Sequence, residues 1–221
     1  QGVCVCQDGL APVLEEIRQA DGLIIGTPNY LGDVSAGVRA LYERLIFQSL
    51  SYKQNPMCYN EHFIPVLFIM TSNAPEEFYT PEGYGKVIEN YKGALSTFVG
   101  PTEVMISGDT LQVDNYDKYN WTYFDPVAKK KRHETVFPEE KKKAFALLQA
   151  FPAQERHLKA SKVFWITLSL ISAAKKKRAK KNRLKFGAKW LMAKLSFQAV
   201  LHLLHSAFVF PFLTDIWLPY S

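Results

Sequence analysis

Along the first two thirds of the chain, short apolar runs typical of strands alternate with longer stretches that have helical periodicity. Short apolar runs rich in β-branched residues are typical of strands buried on both faces, and they occupy 22–26, 63–70 and 102–106. Helical periodicity fills the stretches 10–20, 34–50, 85–98 and 139–149, while the aromatic and polar segment 114–125 has no clear period and is expected to be a surface loop. This alternation predicts a three-layer α/β fold, in which helices cover both faces of a parallel sheet.

Two of the predicted strands run into polar segments that are candidates for a cofactor site. In open parallel sheets, ligands bind beyond the carboxyl ends of the strands. The sequence therefore predicts a cofactor-binding edge, although an ordinary strand-to-helix loop with a core tyrosine is the alternative for the first segment. The predicted binding residues are Thr27, Pro28, Asn29, Tyr30, Leu31 and Gly32 after the first strand, and Thr71, Ser72 and Asn73 after the second.

The first strand, its loop and the following helix resemble those of a known family. The run Gly26-Thr27-Pro28-Asn29-Tyr30, followed by Arg39, Glu43 and Arg44 on the helix, resembles the flavin-contacting unit of the flavodoxin-like NAD(P)H-dependent FMN reductases. The resemblance continues through the second strand and ends near Ala146. The upstream Gly2-Val3-Cys4 and Asp8-Gly9-Leu10 resemble the end of a cysteine-bearing segment in the iron-sulfur flavoprotein branch.

The resemblance implies an FMN-dependent oxidoreductase. In this family NAD(P)H is the co-substrate and electrons pass through FMN to a small-molecule acceptor such as a quinone or free flavin. The 27–33 loop would lie against the flavin ring with Tyr30 on its face, and a homodimer is implied. Because the cofactor carries the chemistry, no catalytic side chain is expected. Two alternatives stay open, namely a non-enzymatic flavodoxin-like electron carrier and an inactive fragment with an unrelated, membrane-touching tail.

Comparison with the complete flavodoxin-like topology predicts a truncated chain. That sheet has five strands in the order 2-1-3-4-5, and the predicted strands correspond to the last three. No Gly-rich or Ser/Thr-rich phosphate loop precedes Leu10. We expect a fold that lacks its first βα unit and second strand. Such a chain should bind FMN weakly and be unstable alone, because an open strand edge carries unpaired backbone groups.

Charge divides the chain near residue 150. The net charge of +6 results from a body, 1–150, with a net charge of −5 and a segment, 151–221, with a net charge of +11. This break predicts a partial flavodoxin-like flavin-binding domain followed by a basic and apolar tail, helical or disordered. We expect the tail neither to extend the sheet nor to take part in redox chemistry, so that deletion after Ala150 leaves turnover intact.

The tail contains features with other interpretations. The basic run 175–181 is not accompanied by a base-reading module, so no nucleic-acid partner is predicted. Contact with an anionic membrane surface through 175–194 is an alternative. The apolar run 197–213 is shorter than a spanning helix requires.

The three cysteines, Cys4, Cys6 and Cys58, have no disulfide-framework spacing, which indicates a reducing, cytoplasmic location. An iron-sulfur centre usually needs four thiolates, so we expect Cys4 and Cys6 to be unliganded. His202 and His205 are one helical turn apart but have no evident third ligand, and no metal site is predicted.

Overall fold

A parallel four-stranded sheet with the strand order β3-β2-β1-β4 forms the centre of the computed structural model, which describes residues 4–150 and 163–167. The strands are Gly22–Pro28 (β1), Val66–Thr71 (β2), Thr102–Ser107 (β3) and Val163–Thr167 (β4). The helices are Ala11–Arg18 (α1), Ala36–Ser49 (α2), Gly85–Phe98 (α3), Pro126–Thr135 (α4) and Phe137–Gln149 (α5). Two short 3-10 helices, Glu76–Phe78 and Tyr116–Lys118, lie in the loops after β2 and β3.

The sheet is covered on both faces, which explains its continuous apolar strands. Successive side chains of a strand point to opposite faces, so Leu23 and Ile25 join one cluster while Ile24 joins the other. The first cluster contains buried residues of α1, α2 and α3, and the second contains Ala144 of α5. All seven residues of β1 are buried. The predicted three-layer α/β fold of flavodoxin-like type is thereby confirmed.

Strand register places the carboxyl ends of three strands at one edge. Pro28 of β1 is opposite Thr71 of β2, and Thr71 is opposite Ser107 of β3. All three pairs of neighbours run parallel. The loops that follow β1, β2 and β3 therefore emerge side by side, and the nine predicted site residues all lie at or beyond the ends of β1 and β2.

One expectation about the tail is wrong. Val163–Thr167 is a strand, β4, that pairs with β1 from Gly22↔Val163 to Gly26↔Thr167. It occupies the position beside β1 where the flavodoxin-like order has its first strand. Part of the segment 151–221 therefore extends the parallel sheet and covers the β1 edge that was expected to be open. The basic run 175–181, the apolar run 197–213, His202 and His205 lie outside the described residues.

Helix α4 was missed by the sequence analysis. Half of its residues are charged and they show no apolar stripe, so periodicity does not indicate a helix. The start signal is nevertheless present, because Asp125 is followed by Pro126 and its carboxylate accepts hydrogen bonds from the N–H groups of Val127 and Ala128 at 2.9 and 3.0 Å. In the described part of the chain, no helix has the length and apolar character needed to cross a membrane.

Candidate functional site

The 27–33 loop is fixed to the sheet by hydrogen bonds from both of its ends. The N–H of Asn29 donates to the carbonyl of Thr71 at 2.7 Å, which extends the pairing of β1 and β2 by one bond. The buried Thr27 hydroxyl accepts from the N–H of Ser35 at 3.0 Å and donates to the carbonyl of Pro28 at 2.9 Å. Thr27 therefore has a structural role, joining the end of β1 to the start of α2.

A tight turn at the tip of this loop presents two side chains to the surface. Tyr30 and Asp33 exchange backbone hydrogen bonds of 2.8 and 3.2 Å. Leu31 and Gly32 between them have positive φ angles of 55° and 91°. A Cβ at Gly32 would lie 3.0 Å from the ring of Tyr84, so this position favours glycine for two reasons. The turn leaves Tyr30 42% exposed and Leu31 fully exposed.

The side chain of Asn29 holds the loop in shape. Its Oδ1 accepts from the N–H of Gly32 at 2.7 Å, and its Nδ2 donates to the hydroxyl of Tyr79 at 2.7 Å. Tyr79 belongs to the segment between β2 and α3 and packs edge-to-face on Tyr84. The loops after β1 and β2 are therefore joined directly through Asn29.

The predicted residues at the end of β2 mainly bond within the protein. The Ser72 hydroxyl accepts from the N–H of Ala74 at 3.0 Å, and the Ser72 carbonyl accepts from the N–H and hydroxyl of Thr110, both at 2.9 Å. Lys129 Nζ donates to the carbonyl and Oδ1 of Asn73 at 3.0 and 2.6 Å. Thr71 is half-buried. The structure thus brings all nine predicted residues to one edge, with the side chains of Thr27, Asn29, Ser72 and Asn73 engaged internally.

Two ion pairs whose cations are largely buried involve the loop after β3 and helices α4 and α5, and the sequence analysis did not identify them. Lys129 of α4 pairs with Asp109 at 2.5 Å, and only 5% of the lysine is exposed. Arg132 of α4 pairs with Glu140 of α5 at 2.6 Å, and Glu140 also accepts from the hydroxyl of Ser107 at 2.8 Å. These pairs anchor α4 and α5 to the carboxyl ends of β2 and β3, where the candidate site lies. In the sequence, the cations of both pairs lie in a run of lysine and arginine. Such a run is equally typical of a solvent-exposed helix, so it does not reveal the ion pairs.

Asp33 connects the loop to α2 and α3 through Tyr91. The Tyr91 hydroxyl donates to Asp33 at 2.7 Å and accepts from Arg39 at 3.1 Å, while Arg39 also pairs with Glu43 at 2.7 Å. Burial of the ring, together with the hydrogen bond to Asp33, raises the pKa of Tyr91 to about 12. The neutral hydroxyl therefore remains in place across the physiological range.

Replacing Tyr91 by Phe should lower the free energy of unfolding by about 1–2 kcal/mol, because two hydrogen bonds are lost and Asp33 loses a partner. Tyr91 keeps its proton in the folded protein up to a pKa of about 12 but ionises near 10 when unfolded. Its contribution is therefore lost between these pH values, and stability should fall less steeply there in Tyr91→Phe. Denaturant unfolding at several pH values measures this dependence of stability on pH, and Tyr52→Phe, at an exposed tyrosine, is the control. If the free energy of unfolding fell equally steeply with pH in wild type and in Tyr91→Phe, the prediction would be contradicted.

Fold and loop geometry define a parallel α/β protein whose candidate ligand-binding edge lies at the carboxyl ends of β1, β2 and β3. Residues 2–74, which include the complete 27–33 loop, match the family model of NADPH-dependent FMN reductases. An iron-sulfur flavoprotein of Archaeoglobus fulgidus is 32% identical over 78 residues, which are 35% of this chain and 37% of that protein. One from Methanosarcina thermophila is 37% identical over 46 residues, 21% of this chain and 24% of its own length. These matches confirm the predicted resemblance.

The chain spans 37% of the length of one of these curated relatives and 24% of the other. A crystal structure of an NADPH-quinone reductase from P. pentosaceus superposes with a TM-score of 0.41 and 8% identity, covering 64% of this chain and 77% of that one. Within residues 4–150 and 163–167, no three His, Cys, Asp or Glu side chains form a group that could hold a metal ion.

Two features of the described residues are compatible with the ring portion of FMN. The Tyr30–Leu31 turn provides exposed aromatic and aliphatic surface for a planar ring. In the loop after β3, at the same edge, Gln112 Oε1 is a buried acceptor for which no hydrogen-bond partner is found in the described protein. A buried acceptor without a partner is costly, and a ligand N–H would satisfy it.

Proposed function

We propose that this chain contributes the flavin-ring site of an FMN-dependent oxidoreductase that transfers electrons from NAD(P)H to a small acceptor. The observation that carries the proposal is the Tyr30–Leu31 turn, exposed at the shared carboxyl edge of adjacent parallel strands. That turn lies within the segment that matches the NADPH-dependent FMN reductase model. Position in the fold and sequence family thus support the same ligand.

Each part of the edge has a distinct role in this proposal. Tyr30 would pack on the ring face, and backbone groups of the 27–33 loop would face the polar edge of the ring. Asn29 and Thr27 would hold the loop rigid through the bonds to Gly32, Tyr79 and Ser35. Bound FMN would supply the hydride and electron transfer, so the protein needs to bind, orient and shield the ring without a side-chain acid or base.

Thr71, Ser72 and Asn73 form the second wall of the proposed site. The side chains of Ser72 and Asn73 form internal hydrogen bonds, whereas Thr71 is half-buried at the end of β2. Ser72 and Asn73 would act by fixing the backbone through Ala74 and Lys129. We assign direct ligand contact to Thr71 and to main-chain groups of this segment.

The cellular setting is proposed on less direct grounds. Cys4, Cys6 and Cys58 are all free thiols, which supports a reducing, cytoplasmic location. A homodimer and a quinone or free flavin as acceptor are proposed from the resemblance to the FMN reductases.

Reduction of protein-bound flavin by nicotinamide cofactors tests the proposed activity. The full chain is loaded with FMN, freed of excess ligand, and mixed anaerobically with NADPH or NADH while the flavin absorbance is recorded. We expect bleaching of the flavin, followed by reoxidation when a quinone is added. Flavin that remains oxidised with both nicotinamides but is bleached by dithionite would contradict the enzyme and favour a flavodoxin-like carrier.

A further inference from the structure

A buried lysine of α4 bonds directly to the 71–73 segment, the second wall of the proposed site. Lys129 Nζ donates to the main-chain carbonyl of Asn73 at 3.0 Å and to Asn73 Oδ1 at 2.6 Å, and it pairs with Asp109 Oδ1 at 2.5 Å. A lysine ammonium has three N–H donors, so all three contacts form only when the side chain is protonated. Lys129 is therefore a fixed positive charge one hydrogen bond away from this wall.

The two charges of the Lys129–Asp109 pair differ in their access to water. Only 6% of the Lys129 side chain is exposed, and its ammonium lies 5.7 Å from the centre of the Phe124 ring. The Asp109 side chain is 38% exposed. Water and salt screen an exposed charge more than a buried one. The electrostatic field of the lysine at the site is thus reduced less than that of the aspartate.

Backbone hydrogen bonds hold this pair at the carboxyl edge of the sheet. The N–H of Asp109 donates to the carbonyl of Ala74 at 2.9 Å, and the N–H of Thr110 donates to the carbonyl of Ser72 at 2.9 Å. These bonds join the loops after β2 and β3. Neither charge of the pair can move away from the 71–73 segment unless contacts between the two loops break.

Other charged groups near these loops are engaged with different partners. Arg132 pairs with Glu140 at 2.6 Å and lies 3.9 Å from Glu76, while Asp33 accepts from the hydroxyl of Tyr91 at 2.7 Å. Among the described residues, Lys129 differs from these groups because it bonds directly to the 71–73 segment. It is therefore the cation with the most direct access to a ligand held there.

We propose that the Lys129–Asp109 pair sets the reduction potential of flavin bound at this edge, with Lys129 raising the potential and Asp109 lowering it. This inference rests on the proposed function. Hydride transfer from NAD(P)H moves two electrons and one proton, so the flavin ring gains one negative charge as the nicotinamide becomes cationic. A nearby cation favours the ring with the added negative charge, and a nearby carboxylate disfavours it. Both residues act through their charge and exchange no proton with the ring.

Reduction potentials of FMN bound to the full chain test this assignment without any turnover. Bound FMN is reduced stepwise with dithionite in the presence of redox dyes, and quenching of fluorescence gives the affinity for oxidised FMN. Together these measurements give the ratio of the affinities for reduced and oxidised FMN. Lys129→Met should lower this ratio about tenfold, which is about 30 mV for a two-electron couple. Asp109→Asn should raise the ratio about threefold, because the aspartate is more exposed.

The opposite signs of these two effects separate charge from structural damage. Both substitutions remove the same ion pair, so a merely structural role would shift the ratio in the same direction or leave it unchanged. Asp109 has a φ angle of 49°, which asparagine tolerates, so Asp109→Asn remains informative if Lys129→Met does not fold. Lys129→Arg, which keeps the charge, should restore most of the ratio. Lys130→Met, at the exposed neighbouring position, should leave the ratio unchanged.

The measurement distinguishes this assignment from the proposed function. If FMN binds but the ratio is unchanged in both single variants, or shifts in the same direction in both, the assignment of the Lys129–Asp109 pair is overturned and the flavin site is retained. If the full chain binds neither oxidised nor reduced FMN, the proposed function is overturned and this assignment with it.

Discussion

Deleting residues 151–221 should destabilise the protein markedly, whereas deleting only 168–221 should not. The longer deletion removes β4, whose five residues pair with β1 from Gly22 to Gly26. A backbone hydrogen bond contributes about 0.5–1.5 kcal/mol net, so losing this strand should lower the free energy of unfolding by on the order of 3 kcal/mol. The edge of β1 would also become available for intermolecular pairing. Denaturant unfolding of the two truncated proteins and the full chain measures the difference.

The two truncations control for each other, because both remove the basic run 175–181 and the apolar run 197–213. If both truncated proteins unfold at the same denaturant concentration, β4 contributes nothing to stability and its pairing with β1 is irrelevant in solution. From the sequence alone, deletion after Ala150 is expected to leave turnover intact. The position of β4 in the sheet reverses that expectation.

Replacing Glu140 by Ala should lower the free energy of unfolding by about 3 kcal/mol, because it leaves the nearly buried Arg132 without its closest carboxylate. The hydroxyl of Ser107 at the end of β3 loses its acceptor in the same variant. The loop after β3 should loosen as a result. Chemical unfolding gives the stability change, and hydrogen exchange of the β3 amides reports whether the carboxyl end of β3 is affected.

Glu139→Ala is the matched control for this variant. Glu139 precedes Glu140 on α5 and forms a bond of 2.7 Å with Lys142, but both side chains are largely exposed. Exposed pairs contribute about 0–1 kcal/mol, so the control should change stability little. Equal effects of the two substitutions would show that Arg132 and Glu140 do not act as a buried pair.

Strands β1, β2 and β3 could be predicted from sequence because strands buried on both faces must be apolar throughout. The apolar run Leu23-Ile24-Ile25 is followed directly by a polar loop, and this pattern predicts a strand that is buried on both faces. The 27–33 loop could also be located, since Pro28 and Gly32 mark the end of the strand and a turn. Local patterns were sufficient for these elements.

The remaining features depend on tertiary contacts that no local pattern encodes. Lys129 and Arg132 occur in a charged run typical of solvated helices, and their burial follows only from the positions of Asp109 and Glu140. Val163–Thr167 is too short and too distant in sequence for its pairing with β1 to be inferred. The roles of Asn29 and Asn73 as internal bonding groups likewise depend on Tyr79 and Lys129.

The claim that the 27–33 loop binds the flavin ring is tested by titrating the full chain with FMN and, separately, with riboflavin. Binding is monitored by the quenching of flavin fluorescence. Riboflavin has the same ring without the phosphate, so it isolates the contact made by the loop. Tyr30→Ala should weaken binding of both ligands by about 1–2 kcal/mol, the scale of a lost stacking contact, while the exposed Tyr52→Ala should have no effect. Equal affinities of wild type, Tyr30→Ala and Tyr52→Ala would contradict the account.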